Sequence, residues 1–357
     1  MGGLLLATAL LFERSDAMFG AVALLGAVLS SWAVARLAPA PSFFQRTMPS
    51  APATRGRPVA IGLVPPPGGE ARAWPALAVW DWTPWGRAPA NPNRAGTALG
   101  YSFTPPERGV FQLGPAQVGY RGPLGLVAVA QPASRRAPLV VGPPLVELEV
   151  PWPEADSDRH QVRSSLVAER VTDPSAVRDY QPGDPRRLVH WKATARRDRL
   201  MVRQTVRRAL PDAWILVDDA APPGEAAEQA LSIAASVAVK LLRARHTVRL
   251  APLRAPGPPA RFTPGGGADP VLEAFARVEL GQAASGNWVA RLAGDFGSRG
   301  ATGPIYGALA QLDSDLLAEL RSAGGLAHPG VLWLVGEAAR QRVEVARAGW
   351  VVAEVGA

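Results

Sequence analysis

Nineteen consecutive residues from Ala17 to Ala35 carry no charge and are mostly apolar; as a helix they rise about 28 Å, close to the roughly 30 Å hydrocarbon core of a bilayer. The pattern predicts a transmembrane helix. An apolar run too short to span, Met1–Phe12, precedes it across the tetrad Glu13, Arg14, Ser15, Asp16, so residues 1–38 are expected to form a transmembrane hairpin with a short first helix. A cleaved signal peptide is the weaker reading, because no positive flank precedes the long run and Pro41 follows the small residues Ala38 and Ala40. Arg36, Arg46, Arg55 and Arg57 come next with no acid before Glu70, which by the positive-inside rule places the remaining chain in the cytoplasm.

Residues 39–58 hold five prolines and no apolar period, the mark of a semi-extended tether. From 59 to 150 the apolar residues fall in short runs separated by Pro and Gly: 59–64, 76–82, 98–103, 109–113, 124–129, 139–141 and 145–150. That spacing predicts a small antiparallel β-sandwich. Trp74, Trp80, Trp82 and Trp85 crowd one part of it; packing is the plainer reading over an aromatic ligand platform. Residues 151–210 read as a linker carrying a basic segment.

The period changes over 211–357. Trp214–Val217 reads as a strand, Glu225–Arg245 as a long Ala/Leu helix with acids early and bases late, and Thr247–Leu250 as a second strand. This β-α-β unit implies a parallel sheet. Helices are expected near Pro270–Val278, Ile305–Ser322 and Glu337–Ala348, with strands at Val331–Val335 and Trp350–Val355. The whole is an α+β multidomain chain whose C-terminal part is an open α/β sheet.

Composition narrows the chemistry. The chain has no cysteine among 357 residues, which excludes disulfides, thiolate zinc sites and a thiol nucleophile. Its four histidines, His160, His190, His246 and His328, lie far apart, and no His-Glu-x-x-His, P-loop or Gly-x-Ser-x-Gly pattern occurs. The net charge of +8 is concentrated: Arg178–Arg208 holds ten bases against three acids. A cationic stretch of this kind can bind an anionic surface, although a solvated basic helix would look the same.

Within that stretch Pro182, Gly183 and Asp184 form a turn signal in which Gly supplies a positive φ and Asp caps the segment after it. A helix is expected to begin near Pro185, with Arg187 and Trp191 on one face and Lys192 and Arg196 on the next. Trp191 would then pack inward and the bases would face a partner. His190 has no carboxylate or second histidine placed to orient it for acid/base work.

The run RDYQPGDPRRLVHWKATAR, residues 178–196, closely resembles the signature of the bacterial domain of unknown function 58 family. Arg108-Gly109, Leu113-Gly114-Pro115 and Gly122–Leu126 resemble its upstream sandwich region, except that Arg121 and Gly122 stand where the family usually has an acid. The resemblance implies a C-terminal von Willebrand factor A-like domain, an inner-membrane anchor and a MoxR-type AAA ATPase as partner. It designates Arg178, Tyr180, Gly183, Asp184, Arg187, His190, Trp191, Lys192 and Arg196 as motif or partner-binding positions. Domains of that fold often hold Mg²⁺ through Asp-x-Ser-x-Ser; the matching residues here are Asp218, Asp219, Ala220, Ala221 and Pro222, which lack both hydroxyls. No metal and no cofactor are expected, with Asp218 and Asp219 a degenerate candidate. The leading expectation is a non-enzymatic membrane-anchored scaffold or adaptor in cell-envelope assembly, attached to lipid through residues 1–38. A polyanion-binding protein acting on lipid headgroups, less readily nucleic acid, is the alternative, and a hydrolase a minor one. The signature residues acting only to lock two domains together is the structural rival.

Overall fold

A computed structural model describes residues 15–37, 44–65, 78–92, 98–121, 127–151, 172–181, 189–205, 212–254, 258–282, 289, 303–324 and 330–354. They form a mixed α+β structure with several sheets and six α-helices among the described residues. The chain divides into two compact units, Met1–Pro144 with Leu272–Arg277, and Leu145–Val271 with Val278–Ala357.

The first unit opens with helix α1 (Ser15–Leu37), apolar on every side rather than along one stripe. Its side chains are described from Met18 to Val34, roughly 26 Å of helix at about 1.5 Å per residue. Among the described residues no helix is long and apolar enough to cross a membrane. The expected transmembrane hairpin is therefore not supported; its first arm lies outside the described residues.

Eleven strands come next: β1 (Gln45–Thr47), β2 (Ala53–Thr54), β3 (Val59–Val64), β4 (Ala78–Thr83), β5 (Gly86–Pro89), β6 (Asn91–Pro92), β7 (Leu99–Phe103), β8 (Gly109–Leu113), β9 (Gln117–Arg121), β10 (Ala128–Pro132) and β11 (Ala137–Gly142). They make three sheets, ordered β1-β3-β7-β6, β10-β9-β4-β5 and β2-β11-β8. Alternate residues point inward, and Ile61, Leu63, Leu99, Leu113, Val118, Leu139 and Val141 pool into one core. Trp85 packs its ring on Phe103 and Phe111 at centroid distances of 5.6 and 4.6 Å. The expected tether is corrected: β1 pairs with β3 and β2 with β11, so part of 39–58 belongs to the sheets. Leu145–Val150 is not a strand, because its backbone is met by side chains of a helix instead: Ser236 Oγ accepts from the Val146 N–H at 2.8 Å and Lys240 Nζ donates to the Leu148 carbonyl.

In the second unit β12 (Thr172–Asp179) pairs antiparallel with β13 (Met201–Thr205), and helix α2 (Trp191–Arg197) lies between them in sequence. Part of the expected linker is thus a hairpin. Beyond it lies a six-stranded sheet made of β14 (Ala213–Val217), β15 (Val248–Pro252), β16 (Ala260–Phe262), β17 (Ile305–Leu309), β18 (Val331–Leu334) and β19 (Val351–Ala353), in the order β16-β15-β14-β17-β18-β19. All neighbours are parallel except β16. Helices α3 (Glu225–Arg243), α5 (Ser314–Gly324) and α6 (Arg342–Arg347) belong to this unit, whereas most of helix α4 (Asp269–Ala276) falls in the first unit. Every residue of β14 and β17 is buried, as strands covered on both faces require. Trp214 and Leu216 face a core shared with Leu316 and Leu320 of α5 and Val345 of α6, while α3 packs across β14, β15, β17 and β18. The helix expected over Ile305–Ser322 is instead β17 and then α5: Asp313 Oδ1 accepts from the Leu316 N–H at 2.6 Å and fixes where the helix starts.

Candidate functional site

Two groups of sequence-selected residues fall in the second unit, and the fold treats them in opposite ways.

Asp218 and Asp219 leave β14 at the C-terminal end of the parallel strands, between β15 and β17, where chain order reverses direction across the sheet. Open α/β sheets bind ligands at this point. Both residues are buried, Asp218 with only 2% exposure. Asp218 Oδ1 accepts from the Ala221 N–H at 3.1 Å and Oδ2 from the Ala310 N–H at 2.8 Å. Asp219 Oδ1 accepts from the Arg254 N–H at 2.8 Å. The two carboxylates thereby tie the ends of β14, β15 and β17 together. Burial pushes the Asp218 carboxyl upward, and the neighbouring Asp219 adds to that rise, while the amides of Ala310, Gln311 and Ala221 work against it. A cation at this position would have to displace those amides and would find no Ser hydroxyls at positions 220 and 222. The donor set does not fit the Mg²⁺ that the resemblance suggests. Among the described residues no cluster of three or more His, Asp or Glu could hold a metal.

The signature segment is arranged differently. Arg178 pairs in register with Val202 and Asp179 with Met201, and the Tyr180 N–H donates to the Leu200 carbonyl at 2.8 Å. Val189 bridges Val202, and the His190 N–H donates to the Met201 carbonyl at 2.8 Å. Val189, Met201 and Val202 are buried, so apolar burial fixes this end of the hairpin. His190 Nδ1 accepts from the Ala193 N–H at 3.1 Å and caps α2, and Thr194 Oγ1 accepts from the Met201 N–H at 3.0 Å. These bonds clamp a short helix that has no buried residue of its own.

What α2 turns outward is aromatic and cationic. Trp191 is 72% exposed, and Leu200 beyond the helix is also exposed. Lys192, Arg196, Arg197 and Arg199 are exposed with them. Lys192 and Arg196 stand four residues apart, a like-charge spacing that weakens an isolated helix and that a counter-charged surface would relieve. Arg199 meets Asp179 at 3.8 Å with both side chains mostly exposed, a pair worth little in water.

The expectation that Trp191 packs inward is corrected. The helix that carries Trp191 begins at Trp191 itself, while Pro185, where it was expected to start, lies outside the described residues, and the residue that was to stand mid-helix on an inner face opens an exposed turn. Gly183, Asp184 and Arg187 lie outside the described residues, as does the side chain of Arg178. Tyr180 is half-buried. The structure brings Arg178, Tyr180, His190, Trp191, Lys192 and Arg196 together on one hairpin, and gives His190 the work of a cap.

Sequence reading missed a buried polar network in the first unit. Asp81, fully buried, takes Arg46 Nε and Nη2 on Oδ2 at 3.1 and 2.6 Å. The Tyr101 hydroxyl donates to the same oxygen at 2.6 Å, and the Trp82 N–H donates to Oδ1 at 2.8 Å. Burial, and after it the Asp81 carboxylate, pushes the Tyr101 phenol well above its usual range. The available signal was Asp81 itself, an acid alternating with Trp80 and Trp82 in a strand, and so assigned to the face they do not occupy.

An α+β architecture with a hairpin and a mainly parallel sheet defines the class of structure. The family model described as protein of unknown function DUF58 matches residues 176–279, from the end of β12 through α4, and so bears out the resemblance seen in the signature. Under a third of the chain is matched, and the upstream motifs at Arg108–Leu126 fall outside it. No curated protein and no solved structure matches the chain.

Proposed function

We propose that the chain is a non-enzymatic scaffold or adaptor, held at a bacterial inner membrane through residues 1–38 with its folded units in the cytoplasm. Its von Willebrand factor A-like sheet serves as a rigid base, and the signature hairpin presents Trp191, Lys192 and Arg196 to a protein partner of the MoxR-type AAA ATPase class acting in envelope assembly. The observation that carries this reading is the exposure of Trp191 at 72% on a helix clamped by its neighbours. An immobilised aromatic beside cations is the composition of a binding hot spot, where Trp and Arg dominate. The buried Asp218 and Asp219 support the non-catalytic part, since their oxygens hold backbone amides. On α1, Phe19, Leu29 and Trp32 are exposed apolar side chains that a lipid environment would cover. Of the four arginines used to orient the chain, Arg46 is buried on Asp81 and Arg55 Nε donates to the Pro106 carbonyl, so orientation rests on Arg36 and Arg57.

The test is cross-linking of the full chain in its native host, capture, and mass spectrometry, with wild type and a Trp191→Ala, Lys192→Glu variant. Recovery of an AAA ATPase with wild type and its loss with the variant, at unchanged melting temperature, is the expected result. Unaltered recovery overturns the reading. Recovery of nucleic acid or lipid alone, weakening steeply with salt, moves the patch to polyanion binding.

A further inference from the structure

The polar network around Asp81 opens onto a cavity of about 580 Å³ in the first unit, lined by Phe44, Arg46, Ser134, Arg135 and Arg136 with Gln45 and Ala137. Among the described residues its wall contains three arginines and no carboxylate. Arg46 is 4% exposed at its side chain and held rigidly: Nε and Nη2 donate to Asp81, Nη2 also to Ser134 Oγ at 3.0 Å, and Nη1 to the Arg135 carbonyl at 2.7 Å. A guanidinium has five N–H donors, so one on Nη1 has no partner among the described residues. Ser134 Oγ is itself fixed, accepting from the Ala116 N–H at 2.9 Å. Gly114, at φ +92°, makes room for this arginine: a Cβ there would stand 2.5 Å from Arg46 Nη2.

Asp81 neutralises Arg46, whereas Arg135 and Arg136 are exposed and make no ion pair among the described residues. Two adjacent guanidiniums on the rim of a concave site, beside a preorganised third, suit a phosphate oxyanion, which takes charge-assisted bonds from Arg in a planar fork. The site's place in the unit says where such a phosphate would come from. Helix α1 packs against β10, and β10 runs directly into the Ala133–Arg136 loop. Phe44, the next described residue after Leu37, donates its N–H to the Ala133 carbonyl at 2.7 Å. The apolar helix thus packs on the strand that leads into the cavity rim.

We propose that this cavity is a phosphate site that seats the headgroup of an anionic phospholipid against the β-sheets, with Arg135 and Arg136 as its charged contacts and Arg46 as its floor. The lipid source rests on the membrane attachment proposed above; the phosphate chemistry does not. The experiment is co-flotation of the full chain with phosphatidylcholine vesicles made with or without phosphatidylglycerol, alongside calorimetric titration with inorganic phosphate in a neutral detergent. Wild type is compared with Arg135→Gln, Arg136→Gln, a variant whose melting temperature should not move, because both side chains are exposed. Wild type is expected to attach to anionic vesicles about 30-fold more tightly than the variant, roughly five-fold for each arginine near an anionic surface, and the two should attach equally to neutral vesicles. Equal attachment to anionic vesicles together with no saturable phosphate uptake overturns the site while leaving the membrane attachment standing. Failure of both proteins to attach to any vesicle overturns the membrane attachment. The phosphate titration then decides alone: uptake lost in the variant supports a site for free phosphate, and no uptake overturns it.

Discussion

Tryptophan is spent in two opposite ways within the second unit. In the six-stranded sheet Trp333 stacks with Tyr306 at 6.5 Å between centroids, Trp214 lies under the Arg249 guanidinium at 5.2 Å, and the Trp350 Nε1–H donates to the Leu320 carbonyl at 2.9 Å. All three are buried. On the signature hairpin Trp191 stands in the open, although a cap and two cross-strand bonds fix the helix that carries it. The charged groups divide in the same way: Asp218 and Asp219 are bonded to backbone amides, while the cations of α2 point outward. This division, a buried acid pair bonded to backbone amides and an exposed cationic aromatic face, is the observation on which the proposed adaptor role rests.

Substitutions on either side of this divide should separate cleanly. Trp350→Ala is expected to cost about 3–5 kcal/mol in denaturant unfolding, as a large buried aromatic does. Gly330→Ala should be damaging by another route, since its Cβ would collide with the Trp350 ring. Asp218→Asn comes next at about 1–3 kcal/mol, because an amide offers one acceptor where two oxygens served buried N–H groups.

The same variant carries a signed pH dependence. The Asp218 carboxyl is raised above 3.8 in the fold, so the folded chain holds that proton more tightly than the unfolded one. Its contribution is fully present below about pH 3.8 and is lost as pH climbs through the folded value. Asp212 behaves in reverse. Burial alone would raise it, but hydrogen bonds and charge from Arg249 and Arg261 outweigh that and lower it below 3.8; its contribution is present above about pH 3.8 and lost as pH falls. Unfolding measured across acid to neutral pH should therefore show the penalty of Asp218→Asn shrinking as pH rises and that of Asp212→Asn growing. Parallel curves would contradict the assignment.

Smaller effects belong to the hairpin. His190→Ala should cost about 1 kcal/mol by thermal melting, as loss of a helix cap does, without touching any chemistry. Trp191→Ala should change stability by less than about 0.5 kcal/mol, the usual range for an exposed site, yet remove partner capture.

Much of the sheet was legible, because a central parallel strand announces itself as an unbroken apolar run, as Trp214–Val217 does, and α3 as an Ala/Leu stretch with acids first and bases last. Ile305–Leu309 was misread since apolar residues run on into helix formers with no Pro between them; Asp313, a proper cap, was the mark passed over. Leu145–Val150 alternates like a strand, but its backbone partners are Ser236 and Lys240, which lie 90 and 92 residues away and which no local pattern reveals. The signature was found by its charge and its turn, while its geometry was not, because histidine is an uncommon cap and Trp191 in sequence looks like core. Arg46, Asp81, Tyr101 and Ser134 meet only through sheet pairing, so their network could not be seen in spacing at all.

The most direct measurement places an aromatic photo-crosslinking amino acid, which keeps a ring where Trp191 stands, at position 191, and at buried position 350 as a control, in the full chain expressed in its native host. The account predicts a discrete protein adduct from 191 that is absent from 350 and disappears when Lys192 and Arg196 are reversed to Glu. No adduct from 191, or one indifferent to those reversals, would contradict it.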